Sequence, residues 1–257
     1  MNNDFNGCLK DINSPLIGSW ITLAHPAIAE IMAMAGFDWL AVDMEHSVIT
    51  IREAEELIRV IDLAGVVPLV RLTSNDSDQI KRVMDAGAHG IIVPMVNSAT
   101  DAKNAVEAIK YPPIGKRGIG LARAQGYGTQ FQKYLGWEQT GSTVIVQVEH
   151  IDAVNNLEQI FSIDGVDGYI IGPYDLTSSM GIPGQFEHPD FLSAMEKIYL
   201  VASKMNMTGG IHVIEPEPDQ LKQRVEEGFR FIAYSLDIRM LDAASRKGLE
   251  HVKGAKL

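Results

Sequence analysis

The 257-residue sequence predicts an α/β fold, a single (β/α)8 TIM barrel spanning residues 1–257, on three observations. Short apolar runs alternate with longer amphipathic segments, eight times in order. The runs are almost continuously apolar, the pattern of parallel strands buried on both faces. No linker, low-complexity tract or charge block divides the chain. An open doubly wound sheet is the alternative and normally uses fewer strands.

The predicted strands are "LIGSWITL" (16–23), "WLAVDME" (39–45), "VPLVRL" (67–72), "GIIVPM" (90–95), "TVIVQVE" (143–149), "GYIIGP" (168–173), "GGIHV" (209–213) and "FRFIAYSL" (229–236). Helical spacing fills the gaps over 26–36, 50–65, 77–87, 98–110, 151–163, 188–206, 217–228 and 238–254. Several of these segments end in glycine, as helices commonly do, at Gly36, Gly65, Gly87 and Gly228. The longest interruption, residues 111–141, is rich in glycine and polar residues and is predicted to be a long loop with a short helix. The residues around Cys8 are expected to be loose.

Composition removes whole classes of partner. With 22 basic and 33 acidic residues the net charge is -11, which argues against nucleic acid and against an anionic membrane. The first twenty residues lack a sustained apolar run, and the most apolar stretch is broken by Glu30, Asp38 and Asp43. One cysteine allows no intramolecular disulfide, so a cytoplasmic protein is expected.

In a barrel of this kind the active site forms at the C-terminal strand ends. Those ends carry Asp43, Glu45 and His46 on strand 2 and Arg71 on strand 3. Strand 5 carries Gln147, Glu149 and His150; strand 6 carries Gly172, Pro173 and Asp175; strand 7 carries His212. Side-chain alternation places Asp43 with Glu45, and Gln147 with Glu149, on one face. Glu149 and Asp175 come from adjacent strands and would converge on one point. Two carboxylates with water and substrate oxygens suit Mg2+ or Mn2+ better than a closed zinc site. The alternative is that each acid pairs with a buried arginine or caps a helix. Arg71 would either join such a pair or stand over a substrate oxyanion, and as the one cation among several acids it suits the second role. His46 is the candidate general base, because a neighbouring acid would orient it. His212 is a candidate substrate contact. His89 falls on the opposite face, and His188 precedes a helix that it would cap. No strand ends in lysine, which leaves a Schiff-base aldolase without its nucleophile.

Six ordered stretches between about residues 16 and 190 resemble the HpcH/HpaI family of metal-dependent class II pyruvate aldolases. They are "AGFDWLAVDMEHS", "PLVRL", "DAGAHGIIVPMVNSATDA", "YPPIGKRGIG", "VQVEH" and "VDGYIIGPYDLTSSMG". The resemblance implies that a 4-hydroxy-2-oxo acid is cleaved to, or formed from, pyruvate and an aldehyde. It implies a divalent metal, Mg2+ or Mn2+ with Co2+ as a further option, held by Glu149 and Asp175 and chelating the 2-oxo acid. It assigns His46 as base, Asp85 as the residue raising that base's basicity, and Arg71 as stabiliser of the enolate oxygen. Gln147, Gly172, Pro173, Tyr174 and Asp175 would hold the 2-oxo acid, with Asp43 and Glu45 in support. A related lyase or decarboxylase acting on oxaloacetate or another 2-oxo diacid is the alternative. A non-catalytic binding protein would be expected to lack one of His46, Arg71, Glu149 or Asp175, and all four are present. The resemblance further implies a homo-oligomer, a hexamer, in which the C-terminal helix packs on a neighbouring subunit. Tyr174 in place of a small residue and His212 in place of an aliphatic one depart from the family pattern and leave the aldehyde unnamed.

Overall fold

The computed structural model describes residues 4–11 and 13–253. Its strands are β1 (Leu16–Ile21), β2 (Trp39–Asp43), β3 (Val67–Arg71), β4 (Gly90–Val93), β5 (Thr143–Val148), β6 (Gly168–Ile171), β7 (Thr208–Val213) and β8 (Phe231–Leu236). Each pairs in parallel with the next, and β8 closes on β1. The helices of the described residues are α1 (Phe5–Lys10), α2 (Pro26–Met34), α3 (Ile51–Leu63), α4 (Ser77–Ala86), α5 (Ala99–Ile109), α6 (Phe131–Gly141), α7 (Ile151–Asn155), α8 (Leu157–Phe161), α9 (Pro173–Ser179), α10 (Pro189–Met205), α11 (Pro218–Glu226) and α12 (Asp237–Lys253). None is long and apolar enough to cross a membrane.

The predicted alternation has a direct packing consequence. Outward strand residues such as Val42, Val70, Ile91 and Val146 bury against the helices in one large cluster. Inward residues such as Trp39, Leu69, Ile145 and Phe231 form a second cluster inside the barrel. Trp39 stacks on Phe231 at 4.3 Å between centroids. Gly18 makes room for that indole, since a Cβ there would lie 2.0 Å from it. Truncating a fully buried tryptophan of this kind costs roughly 3–5 kcal/mol.

The helices follow the same logic. α3 begins with a capping box: Thr50 accepts from the Glu53 amide while the Glu53 carboxylate accepts from the Thr50 amide at 2.7 Å. It buries Ala54, Leu57, Ile58 and Ile61, a single face at helical spacing. α4 ends on Gly87 at φ 105°, the left-handed cap the sequence signals.

Four sequence expectations are corrected. The segment around Cys8 is not loose but forms α1, because Phe5 and Leu9 bury into the inner cluster and close the floor of the barrel. Residues 111–141 hold more helix than expected, with α6 eleven residues long. Its C-terminal carbonyls are satisfied by buried Lys110, whose Nζ donates to the oxygens of Glu138, Gln139 and Ser142. The segment 151–163 breaks at Asn156 into α7 and α8. The predicted strand 168–173 stops at Ile171, and Pro173 begins α9, at a first position where the missing amide costs nothing.

Candidate active site

Asp43 and Arg71 are register partners on neighbouring strands, so their side chains rise side by side from the inner wall. They form a two-pronged pair, with Arg71 Nε 2.9 Å from Asp43 Oδ1 and Nη2 2.6 Å from Oδ2. Asp43 Oδ1 also accepts the backbone amides of Glu45 and His46 at 3.1 and 3.2 Å. One buried carboxylate therefore fixes both the arginine and the turn that carries His46. The guanidinium lies 4.3 Å over the ring of buried Trp20. Sequence reasoning missed Trp20, although its inward parity on β1 and its place near the strand's end were readable.

Glu45 stands between three partners: Gln147 Nε2 donates to it at 3.4 Å, Arg71 Nε is 3.5 Å away and His46 Nε2 is 3.7 Å away. Burial pushes its carboxyl up against the pull of Arg71. Glu149 is 3% exposed. Its Oε1 accepts the Met95 amide at 2.6 Å, and its Oε2 accepts from Gln147 Nε2. Met95 has φ 53°, an unusual value for a non-glycine residue, adopted where the chain turns its amide onto Glu149. Burial raises the Glu149 carboxyl, and the nearby charges of Glu45 and Asp175 raise it further. Gly172 is required by this packing, since a Cβ there would sit 2.9 Å from the Glu149 Cβ. Asp175 lies in the first turn of α9, exposed beside the same carboxylates.

This donor set fits a hard divalent cation. Glu149 is buried, has no ion-pair partner among the described residues, and faces a second carboxylate. Such a group needs positive charge. Among the described residues no group of three or more His, Cys, Asp or Glu side chains is placed to hold a metal ion.

His212 points inward from β7. Its Nε2 lies 3.2 Å from the Ser235 carbonyl, which can only accept, so Nε2 carries the proton. Its ring meets Trp20 edge-on, 5.8 Å between centroids. Burial pushes its pKa down to about 4, and the charge on Arg71 acts in the same direction. The unfolded ring protonates near 6.5, so between these values the unfolded chain takes up more protons than the folded one. Stability is therefore expected to fall by up to roughly 3 kcal/mol as pH drops from 6.5 to 4. His212→Gln should flatten this part of the curve in denaturation at pH 7 and 4.5, and an unchanged slope would refute the assignment.

Other histidines take structural roles. His25, His150 and His188 each accept, through Nδ1, a backbone amide at a helix start. His89 lies 3.4 Å from Asp62. Asp85 is not brought to His46 within this chain. It closes α4 at the opposite end of the barrel, where Gln125 donates to it at 3.3 Å and burial raises its carboxyl. The acid nearest His46 in the chain is Glu45.

A profile of the HpcH/HpaI aldolase/citrate lyase family matches residues 16–244. A hydroxypyruvate/pyruvate aldolase of Sagittula stellata is 38% identical over 230 residues, 89% of this chain and 90% of that protein. A 4-hydroxy-2-oxo-heptane-1,7-dioate aldolase of Salmonella paratyphi C is 38% identical over 243 residues, 94% of this chain and 91% of its own length. The crystal structure of an HpcH/HpaI aldolase/citrate lyase family protein from Burkholderia cenocepacia superposes with a TM-score of 0.92 at 33% identity, covering 98% of this chain and all of that one. Together with a carboxylate-rich mouth on a parallel barrel, these likenesses define a carbon–carbon lyase. The chain belongs to the HpcH/HpaI aldolase/citrate lyase family.

Proposed function

We propose that the chain is a class II aldolase that joins pyruvate to an aldehyde, or cleaves the resulting 4-hydroxy-2-oxo acid. The observation that carries this reading is buried Glu149, bonded to Gln147 and without an ion-pair partner among the described residues, on the same barrel wall as the Asp43-paired Arg71. Glu149 and Asp175 would hold a divalent cation, Mg2+ or Mn2+, which would supply fixed positive charge beside the bound 2-oxo acid. Gln147 and the Gly172–Asp175 segment hold that acid against the wall of β5. Arg71, immobilised by Asp43 and Trp20, faces the C2 oxygen as it gains charge. His46 takes a proton from the methyl carbon. In the synthetic direction that carbon forms a bond to the aldehyde carbon, and the aldehyde oxygen receives a proton to become the 4-hydroxyl. Cleavage runs the same steps in reverse.

The test is pyruvate release from a panel of 4-hydroxy-2-oxo acids and from oxaloacetate, with and without EDTA. Release from the hydroxy acids, abolished by EDTA and restored by Mg2+ or Mn2+, is expected. Turnover of oxaloacetate alone would replace the aldolase reading by a decarboxylase one.

The reading includes a homo-oligomer, a hexamer by family resemblance, in a cytoplasmic setting. α12 packs chiefly on β1 and β8 and leaves Ile238, Leu241 and Leu249 exposed on one face. That face is the surface offered to a neighbouring subunit. Leu241→Asp is expected to lower the mass seen by light scattering, and an unchanged mass would refute this contact.

A further inference from the structure

A second cavity, of 680 Å3, opens beside the mouth between α10 and α11. It borders Pro173, Tyr174 and the β7 backbone that carries His212, so it adjoins the rim of the site already described. Its origin lies in the sequence of α10, where Leu192, Met195 and Tyr199 recur at helical spacing but are not all covered. Leu192 is 50% exposed and Tyr199 40%. Beneath them lie Ile211 and Val213, the outward residues of β7. At the lip, Tyr174 meets Phe186 edge-on at 5.0 Å, and Phe186 leans on Phe191 at 5.7 Å, so the aromatic wall is fixed from behind.

The charges lining this groove are mostly negative, Glu187, Glu196 and Glu215 against one arginine, Arg224. Arg224 is committed to Glu227 at 2.6 Å, and Glu215 to Arg239 at 2.7 Å. Glu187 and Glu196 also line the groove and have no ion-pair partner among the described residues. A carboxylate-terminated chain entering here would meet Glu187 and Glu196, and the one arginine lining the groove, Arg224, is already paired with Glu227. An uncharged apolar chain would bury its surface against Phe186, Leu192 and Met195. The volume lies in the range of small-molecule pockets and exceeds what pyruvate and a short aldehyde need.

We infer that this groove receives the carbon chain of the aldehyde partner and selects an uncharged apolar or aromatic chain over a carboxylate-terminated one. The inference rests on the aldolase reading and adds the substrate class. The experiment uses the full-length, metal-loaded protein with pyruvate as donor and either hexanal or succinic semialdehyde as acceptor. The expected kcat/KM is at least about ten-fold higher for hexanal. Leu192→Glu and Met195→Glu should each lower the hexanal value about ten-fold. Both should leave deuterium exchange at the pyruvate methyl, measured without acceptor, unchanged. Equal or better use of succinic semialdehyde by the wild type overturns the inference. So does an unchanged hexanal value in both variants, or a drop in molecular mass by light scattering with no change in aldehyde preference, which would make the groove a contact between copies. If the wild type shows no methyl exchange at all, the aldolase reading itself has failed, which the acceptor comparison alone would not reveal.

Discussion

Arg71→Lys is expected to slow deuterium exchange at the pyruvate methyl at least about a hundred-fold while leaving the fold intact. The reason is geometric. Lysine keeps the charge but not the planar fork that bonds both Asp43 oxygens at 2.9 and 2.6 Å, nor the flat face that lies 4.3 Å over Trp20. A flexible ammonium would spread its charge over several positions, and only part of that population would face the C2 oxygen. Arg71→Ala should reduce exchange further, but it leaves Asp43, 1% exposed, as a buried charge without its partner. Breaking a buried pair from one side costs roughly 3–5 kcal/mol, so the alanine variant loses stability as well as activity. Asp43→Ala should resemble it and additionally release the turn bearing His46, because Asp43 accepts the amides of both Glu45 and His46. Proton NMR of pyruvate in D2O reads the exchange, and thermal unfolding separates the two effects. Exchange at the wild-type rate in Arg71→Lys would remove Arg71 from the chemistry.

The barrel was legible in the sequence because a strand buried on both faces leaves an unmistakable apolar run, and eight of them recur. The strand-end acids were legible for the same reason: Asp43 interrupts a run that nothing before it interrupts, and Glu149 ends one interrupted only by Gln147. What each acid does was not legible. Asp43 appeared to be one of a cluster of three, yet register alone makes it the partner of Arg71, and register is a property of two strands. Trp20 was hidden because an inward tryptophan reads as core until the arginine above it is located. The Met95 amide is invisible to residue-type reasoning, since its contribution is a backbone angle. The N-terminal helix was missed because six residues carry too little periodicity to register, and its burial depends on a barrel floor that forms only in three dimensions.

Glu149→Gln is expected to separate stability from function in opposite directions. In the metal-free protein the carboxylate is buried, its carboxyl is raised, and Glu45 and Asp175 stand near it. A neutral amide of the same shape removes that repulsion, and its oxygen can keep the 2.6 Å bond from the Met95 amide. Its NH2 would then face Gln147, whose amide can turn to present oxygen instead of nitrogen. The metal-free variant should therefore unfold at an equal or higher temperature, with a gain of about 1 kcal/mol. Cation binding should collapse, because one of the two carboxylates proposed to hold the cation is gone. Titration with Mn2+ should show at least about a hundred-fold weaker binding, and the thermal shift that Mn2+ gives the wild type should disappear. Gln147→Ala tests the same arrangement more gently. It leaves both carboxylates but frees Glu149 to rotate, and should weaken Mn2+ binding about ten- to a hundred-fold. A Glu149→Gln protein that binds Mn2+ as tightly as the wild type would move the metal away from this carboxylate pair, and the paired Arg71 would then be the main source of positive charge at the mouth.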